Sequence, residues 1–245
     1  MNTYAQTDVG KTREVNEDAV LATVVDDVAL LIVADGMGGH AAGDVASEMA
    51  VEQIEDEVLD GLNSGHADYE RLLGSAITAA NRRICDAAAA DTSLSGMGTT
   101  VVAALIDETS ALVATVGDSR CYHIDDELTQ VTTDQSLVQE LVEAGEITQA
   151  EAREHPQRNV VSQALGTTED VSPDFYRFTP TGVVLLCSDG LSEEVKPSAL
   201  QQLITAHSCL GATADALINR ANENGGSDNI SVVLGRHVTD PPKRE

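Results

Sequence analysis

The sequence predicts an α+β layered domain, and three observations carry that expectation. Apolar runs of Val, Leu, Ile and Ala follow one another across acidic turns too short to hold a crossover helix, at Asp26-Asp27, Asp107-Glu108-Thr109 and Asp125-Asp126-Glu127, so neighbouring strands must run antiparallel. Helical periodicity comes in pairs instead of alternating with single strands. Hydrophobic residues make up 42% of the 245 residues and aromatics 2%, so the core is aliphatic and large enough to need neither disulfides nor a structural metal.

Each element follows from its pattern. Residues 19–25 and 28–34 read as a hairpin across Asp26-Asp27. Val45, Met49, Ile54 and Val58 recur on one face and predict a helix over 44–62, and a second helix over 69–90 comes before the next strand. Strands at 99–106, 110–116 and 120–124 are joined by short turns. A helix over 136–144 stops at Gly145, and Thr148 with Glu151 three residues on opens a short fourth helix with a capping box. A strand at 183–188, helices at 197–207 and 212–224 and a strand at 230–236 complete the order. Residues 1–238 read as one domain without repeat or linker, and 239–245 as a short disordered tail.

Charge narrows the function. With 14 Lys+Arg against 41 Asp+Glu, the formal charge of −27 repels nucleic acid and anionic lipid headgroups. No basic segment leads into an apolar run at the start, and no stretch approaches the ~18 apolar residues of a membrane span. Cys85, Cys121, Cys187 and Cys209 show no C-x-x-C spacing and read as small buried hydrophobes, which suits a reduced, cytoplasmic protein.

Certain acids sit where strands finish or begin. Val33-Ala34-Asp35-Gly36, Val116-Gly117-Asp118-Ser119 and Cys187-Ser188-Asp189-Gly190 each end an apolar strand, Ser227-Asp228-Asn229 precedes one, and Asn16-Glu17-Asp18 precedes another. Any single Asp-Gly is a common turn dipeptide. As a set they converge if the strand ends converge, and two unit charges ~4 Å apart repel by about 4 kcal/mol at an effective dielectric of 20. Such a cluster needs protons or a cation, and oxygen donors without His or Cys select a hard divalent ion. Gly36-x-Gly38-x-x-Ala41 fits a relaxed dinucleotide fingerprint, but that fold requires a second parallel strand one helix later, carrying an acid for the ribose, and here the next strand comes only after two helices. No Cys has an Arg six residues later, and no G-x-S-x-G, H-E-x-x-H or Walker A sequence is present.

Seven motifs, in order over about residues 1–237, resemble one known family. They are Arg13-Glu-Val-Asn-Glu17-Asp18, Val33-Ala-Asp35-Gly36-Met-Gly-Gly-His40, Gly96-Met-Gly-Thr-Thr100, Val116-Gly-Asp118-Ser-Arg120, Leu165-Gly166, Cys187-Ser-Asp189-Gly-Leu191 and Ser227-Asp228-Asn229-Ile230. The sequence is similar to the metal-dependent serine/threonine protein phosphatases of the PP2C (PPM) type, in their bacterial and archaeal form. The resemblance implies an α-β-β-α sandwich, two mainly antiparallel sheets flanked by helix pairs, with a binuclear Mn²⁺ or Mg²⁺ centre. It implies that Asp35 bridges both ions, that Asp189 and Asp228 complete the first site, and that Glu17 and the Gly36 carbonyl serve the second. Asp118, with Asp189, matches the place of a third, weaker ion. Asp18 and Asn229 match groups that orient ligands or metal-bound water, and Arg13 matches the arginine that clamps the substrate phosphate. The implied partners are phosphoproteins carrying phosphoserine or phosphothreonine, with a cognate Ser/Thr kinase as counterpart, and the implied state is a monomer. The alternative is a catalytically silent module of the same fold that binds partners.

The chain departs from the family pattern in places. Animal members place a proposed general-acid His two residues after the bridging Asp, where Met37 stands here; His40 lies five residues after Asp35, and a metal-bound water is the expected acid instead. Thr133-Asp134-Gln135-Ser136 has Gln where relatives usually have His, and 134–161 resembles the family's flap beside the active site, a contributor to substrate choice. Of the 41 acids about six are accounted for by metal chemistry, and the rest lie on helices and turns with little Lys to match. At ~1 M salt the Debye length falls to about 3 Å and screens such repulsion, so the surface suits a high-salt cytosol, as in a haloarchaeon.

Overall fold

Strands β2 (Asp18–Val25) and β3 (Val28–Met37) form the expected hairpin, and β3 is buried on both faces. Alternation sends Leu30, Ile32 and Ala34 toward a helix layer and Ala29, Leu31 and Val33 toward a second sheet. This two-sided burial is why the strand is an unbroken apolar run. The computed structural model describes residues 1–38, 42–66 and 68–237.

The first sheet runs β1 (Asn2–Asp8), β11 (Ile230–Arg236), β10 (Val183–Cys187), β7 (Arg120–Ile124), β8 (Leu128–Gln130). The second runs β2, β3, β5 (Val101–Ile106), β6 (Ala111–Val116), β9 (Asp174–Phe178), with β4 (Gly98–Thr99) pairing the end of β3. All pairings are antiparallel, as the short turns require. Helices α1 (Gly43–Asn63) and α2 (Tyr69–Ala90) cover the outer face of the second sheet through Ile54, Leu73, Ile77 and Ile84. The outer face of the first is covered by α6 (Pro197–Ala206) and α7 (Leu210–Asn224) through Leu200, Ile204, Leu217 and Ala221. Between the sheets, Leu31, Val33, Val102 and Val113 pack with Cys121, Val184, Leu186 and Val233. The α-β-β-α sandwich is therefore what the sequence led us to expect. Two short helices, α3 (Leu137–Glu143) and α4 (Gln149–Glu154), lie between β8 and β9, and the Thr148/Glu151 capping box is formed.

Some expectations are corrected. The strand read as 99–106 breaks at Thr100, whose N–H turns to the Asp35 carbonyl (2.9 Å). The strand read as 183–188 ends at Cys187, and Ser188 precedes a one-turn helix α5 (Asp189–Ser192) that presents Asp189. Strands β1, β8 and β9 had no strong signal. Cys209 is exposed at the start of α7 and Cys85 is half-buried; only Cys121 and Cys187 are core residues. His40 and the tail expected at 239–245 lie outside the described residues. Among the described residues no helix is long and apolar enough to cross a membrane.

Candidate metal centre

Both sheets deliver acids to one end of the sandwich. Asp18 opens β2 and stands opposite Asp35 in the β3 register. Asp118 lies in the turn between β6 and β7, Asp189 begins α5 at the end of β10, and Asp228 lies two residues before β11. Contacts show that these places converge: Ser188, next to Asp189, donates to Asp18 across 170 positions, and Arg13 pairs with both Glu17 and Asp228. Burial, then repulsion from Asp18, Asp189, Asp118 and Asp228, pushes the Asp35 carboxyl well above the usual range. Asp189 is raised by burial and then by Asp118, Asp228, Glu193 and Asp18. Burial also pushes Asp18 up to about 6 against the opposing hydrogen bonds of Ser231 and Ser188. Asp118 is likewise pushed up to about 6, by burial first and Asp134 second.

The scaffold around these groups is specific. Ser188 Oγ donates to Asp18 Oδ2 (2.8 Å). Asn229, 3% exposed, accepts from the Glu17 N–H (2.8 Å) and donates from Nδ2 to the carbonyls of Val9 and Val15 (3.0 Å each), tying the 9–17 loop to the start of β11. Ser47 Oγ on α1 donates to the Glu17 carbonyl (2.6 Å). The Asp35 carbonyl accepts from Thr100 N (2.9 Å) and Thr99 Oγ1 (3.0 Å), and Thr100 Oγ1 shares a hydrogen bond with Ser119 Oγ (2.8 Å) beside Asp118. A Cβ on Gly36 would lie 2.2 Å from the Gly43 carbonyl and 2.4 Å from that of Glu17, and one on Gly43 would lie 2.6 Å from Glu17 Oε1. Only glycine lets α1 press this closely on Glu17 and Gly36.

The donor set fits a hard divalent cation. Asp18 Oδ1 and Asp189 Oδ1 are buried without a hydrogen-bond partner, which is costly for a carboxylate unless a cation or proton satisfies it. The converging groups are carboxylates, with a backbone carbonyl available at Gly36 and neither His nor Cys among them. The carboxylates are gathered without being closed into a shell: among the described residues no three acid, His or Cys side chains reach ligand spacing around one point. Arg13, expected to clamp the substrate phosphate, makes ion pairs with Asp228 (Nη2–Oδ2, 2.8 Å) and Glu17 (Nη1–Oε2, 3.6 Å), and its side chain is 46% exposed.

Every acid singled out from the sequence, Glu17, Asp18, Asp35, Asp118, Asp189 and Asp228, thus lies at this end with Gly36 and Asn229. The sequence reading missed Gly43, Ser47 and Ser188 as supports. Ser188 had a usable signal, since it sits directly before Asp189 at a strand end. Gly43 had none, because its constraint comes from Glu17. Beside Asp118 and Asp189 a cavity of about 600 Å³ opens beneath the 134–161 segment, lined also by Ser136, Arg153, Arg158 and Glu193. A wider groove of about 1140 Å³ along α2 lies apart from the acids.

Oxygen donors buried at the mouth of two stacked sheets define the class as a divalent-metal protein, a setting in which metal-dependent hydrolases activate water. The chain belongs to the protein phosphatase 2C family, whose profile matches residues 7–228. It is 40% identical over 239 residues to the serine/threonine phosphatase stp of Listeria monocytogenes, covering 96% of this chain and 95% of that protein. Among solved structures it is similar to the serine/threonine phosphatase Stp1 of Staphylococcus aureus (TM-score 0.88, 34% identity, 97% and 95% of the two chains). The catalytic domain of the serine/threonine protein phosphatase PstP, solved with two manganese ions, also matches (TM-score 0.82, 36% identity, 95% and 96% coverage).

Proposed function

We propose that the protein hydrolyses phosphoserine and phosphothreonine in proteins, using water activated at a binuclear Mn²⁺ or Mg²⁺ centre. The observation that carries this is the gathering of Asp18, Asp35, Asp118, Asp189 and Asp228 at one end of the two sheets, where Asp18 faces Asp35 and the buried Asp18 Oδ1 and Asp189 Oδ1 have no hydrogen-bond partner. A catalytically silent module would have no use for it. Asp35, Asp189 and Asp228 would hold one ion and Asp35, Glu17 and the Gly36 carbonyl the other; Asp118 with Asp189 would hold a third. Bound ions supply a lowered water pKa for in-line attack and neutralise the phosphate dianion. Asp18 and Asn229 orient the ligands they touch. Arg13 releases Asp228 to donate to the substrate phosphate. The protein need supply no nucleophile of its own: Cys187 is buried and pushed up to about 12, and Cys121 is buried and raised, so neither offers a thiolate.

Further features belong to the same proposal. One domain over 1–238 acts as a monomer, since a single chain supplies every group named. A Ser/Thr kinase must place the phosphoryl group that the enzyme removes. Free thiols suit the cytoplasm, and the charge of −27 suits high salt. The purified protein with Mn²⁺ hydrolyses a phosphothreonine peptide, stops with chelator, and loses nearly all turnover in Asp189→Ala. Hydrolysis that continues without metal would sink the proposal.

A further inference from the structure

Gln135 stands at the neck of the 134–161 segment and uses both its backbone and its side chain there. Its N–H donates to the Gly117 carbonyl (2.9 Å), and its Oε1 accepts from the Gly117 N–H (3.0 Å). This two-point bridge grips the peptide groups on either side of Gly117, one of which carries the Asp118 N–H. The Gln135 carbonyl accepts from the Ser162 N–H (2.8 Å), where the segment returns, and Ser136 and Val161 form an isolated β-bridge. Gln163 Nε2 donates to the same Gln135 Oε1 (3.1 Å) and to the Ser172 carbonyl (3.1 Å), while Gln163 Oε1 accepts from the Ser172 N–H (2.7 Å). Gln135 Nε2 donates to Asp174 Oδ2 (2.8 Å) at the start of β9.

The place Gln135 grips has little freedom of its own. Gly117 has a φ of 103° and a Cβ there would lie 2.7 Å from Thr100 Cγ2, so the turn is backed directly against the residue that bonds the Asp35 main chain. A rotation of the Gly117 peptides would therefore be felt at Asp118 first. The one side-chain oxygen that opposes it also ties the two ends of the flap-like segment together.

We propose that Gln135, supported by Gln163, is a positioning residue for the phosphatase reaction, coupling the order of the 137–161 segment to the placement of Asp118. It touches neither substrate nor ion in this role and acts through the Gly117 peptides. The inference rests on the phosphatase reading for its effect on turnover; the coupling itself can be read without turnover.

The test compares wild type with Gln135→Met, which keeps the side-chain length but removes its polar atoms, and with Gln135→His, whose ring keeps one donor and one acceptor. Hydrogen–deuterium exchange is followed over 116–120 and 137–161 in chelated protein, and kcat and KM are measured with Mn²⁺ on p-nitrophenyl phosphate and on a phosphothreonine peptide. Gln135→Met loses the two bonds accepted by Oε1 and the one donated by Nε2, and speeds exchange in both segments by about 5-fold or more. It lowers kcat on the small ester by about 10-fold or more, as a displaced site group would, and raises KM for the peptide alone. Gln135→His recovers most of both effects. Exchange that quickens in only one segment, or an unchanged kcat on the small ester, overturns the proposal. If Gln135→Met does not fold, Gln163→Met removes only one of the two donors to Oε1 and carries the same test, with smaller exchange changes still required in both segments. A wild-type protein that turns over neither substrate would defeat the phosphatase reading, while the exchange data would still decide the coupling.

Discussion

Asp18 and Asp35 face each other directly across the β2–β3 ladder, two acids opposed where strand pairing ordinarily disfavours like charges. Asp18 is only 9% exposed, and its Oδ1 has no hydrogen-bond partner. The pair lowers the stability of the sandwich in return for placing carboxylates at its mouth.

Asp18→Asn keeps the shape and removes the charge. The chelated variant melts higher than chelated wild type at neutral pH, because the cost of burying the Asp18 charge is removed first and its repulsion with neighbouring acids second. Turnover with Mn²⁺ falls by about 10–100-fold, the range for a group that orients metal ligands. Melting curves and rates on one preparation check both, and a variant that is less stable without metal contradicts the account.

The raised carboxyls set a pH dependence. Asp18 and Asp118 rise from 3.8 to about 6, and Asp35 and Asp189 rise well above 3.8, so the folded metal-free protein holds protons that the unfolded chain has released. Their contribution to stability is complete below about pH 4 and is lost as pH rises through about 6 and beyond. Mn²⁺ binding displaces those protons. The gap in melting temperature between Mn²⁺-loaded and chelated protein should therefore widen from about pH 5 to pH 7, with proton release on metal addition near pH 6. A gap independent of pH would refute this.

Arg13 shares Asp228 and Glu17 with any cation that binds there. Arg13→Ala therefore tightens Mn²⁺ binding, seen by calorimetry, while kcat/KM for a phosphopeptide drops by about 10–100-fold through loss of a charge-assisted phosphate contact. Weaker Mn²⁺ binding in the variant would mean that Arg13 orders the ligands instead of competing for them.

On α1 the solvent side carries Asp44, Glu48, Glu52, Asp56 and Asp60 at four-residue intervals, with Arg83 answering only Glu52 (2.9 Å). Like charges at this spacing cost about 0.2–0.5 kcal/mol per pair. Asp56→Lys turns two repulsive neighbours into attractive ones and should stabilise by about 1 kcal/mol in dilute buffer, or about 2–4 °C in Tm. At ~1 M salt the gain should vanish. A gain that persists in high salt would show that packing, not charge, is responsible.

The acids were legible in the sequence because aliphatic strands that are buried on both faces announce their own ends. Asp35, Asp118 and Asp189 each close or follow such a run. The half-exposed edge strand β1 reads Asn-Thr-Tyr-Ala-Gln-Thr-Asp, and the short β9 reads Asp-Phe-Tyr-Arg-Phe; neither has a continuous apolar signal. Contacts made at long range were hidden altogether. Arg13 meets Asp228 across 215 positions, and Gly43 is required by the side chain of Glu17 rather than by its own neighbours. Local pattern identified the participants, and only the folded chain showed which of them touch.

The pairing of β1 with β11 bears on when the protein becomes active during its synthesis. Glu17, Asp18 and Asp35 leave the ribosome early, while Asp228 and the strand that completes their sheet end emerge some two hundred residues later. A nascent chain that has made both early strands of the mouth still lacks the partner of β1 and the carboxylate that answers Arg13. The acid end of the sandwich is therefore complete only once β11 lies between β1 and β10.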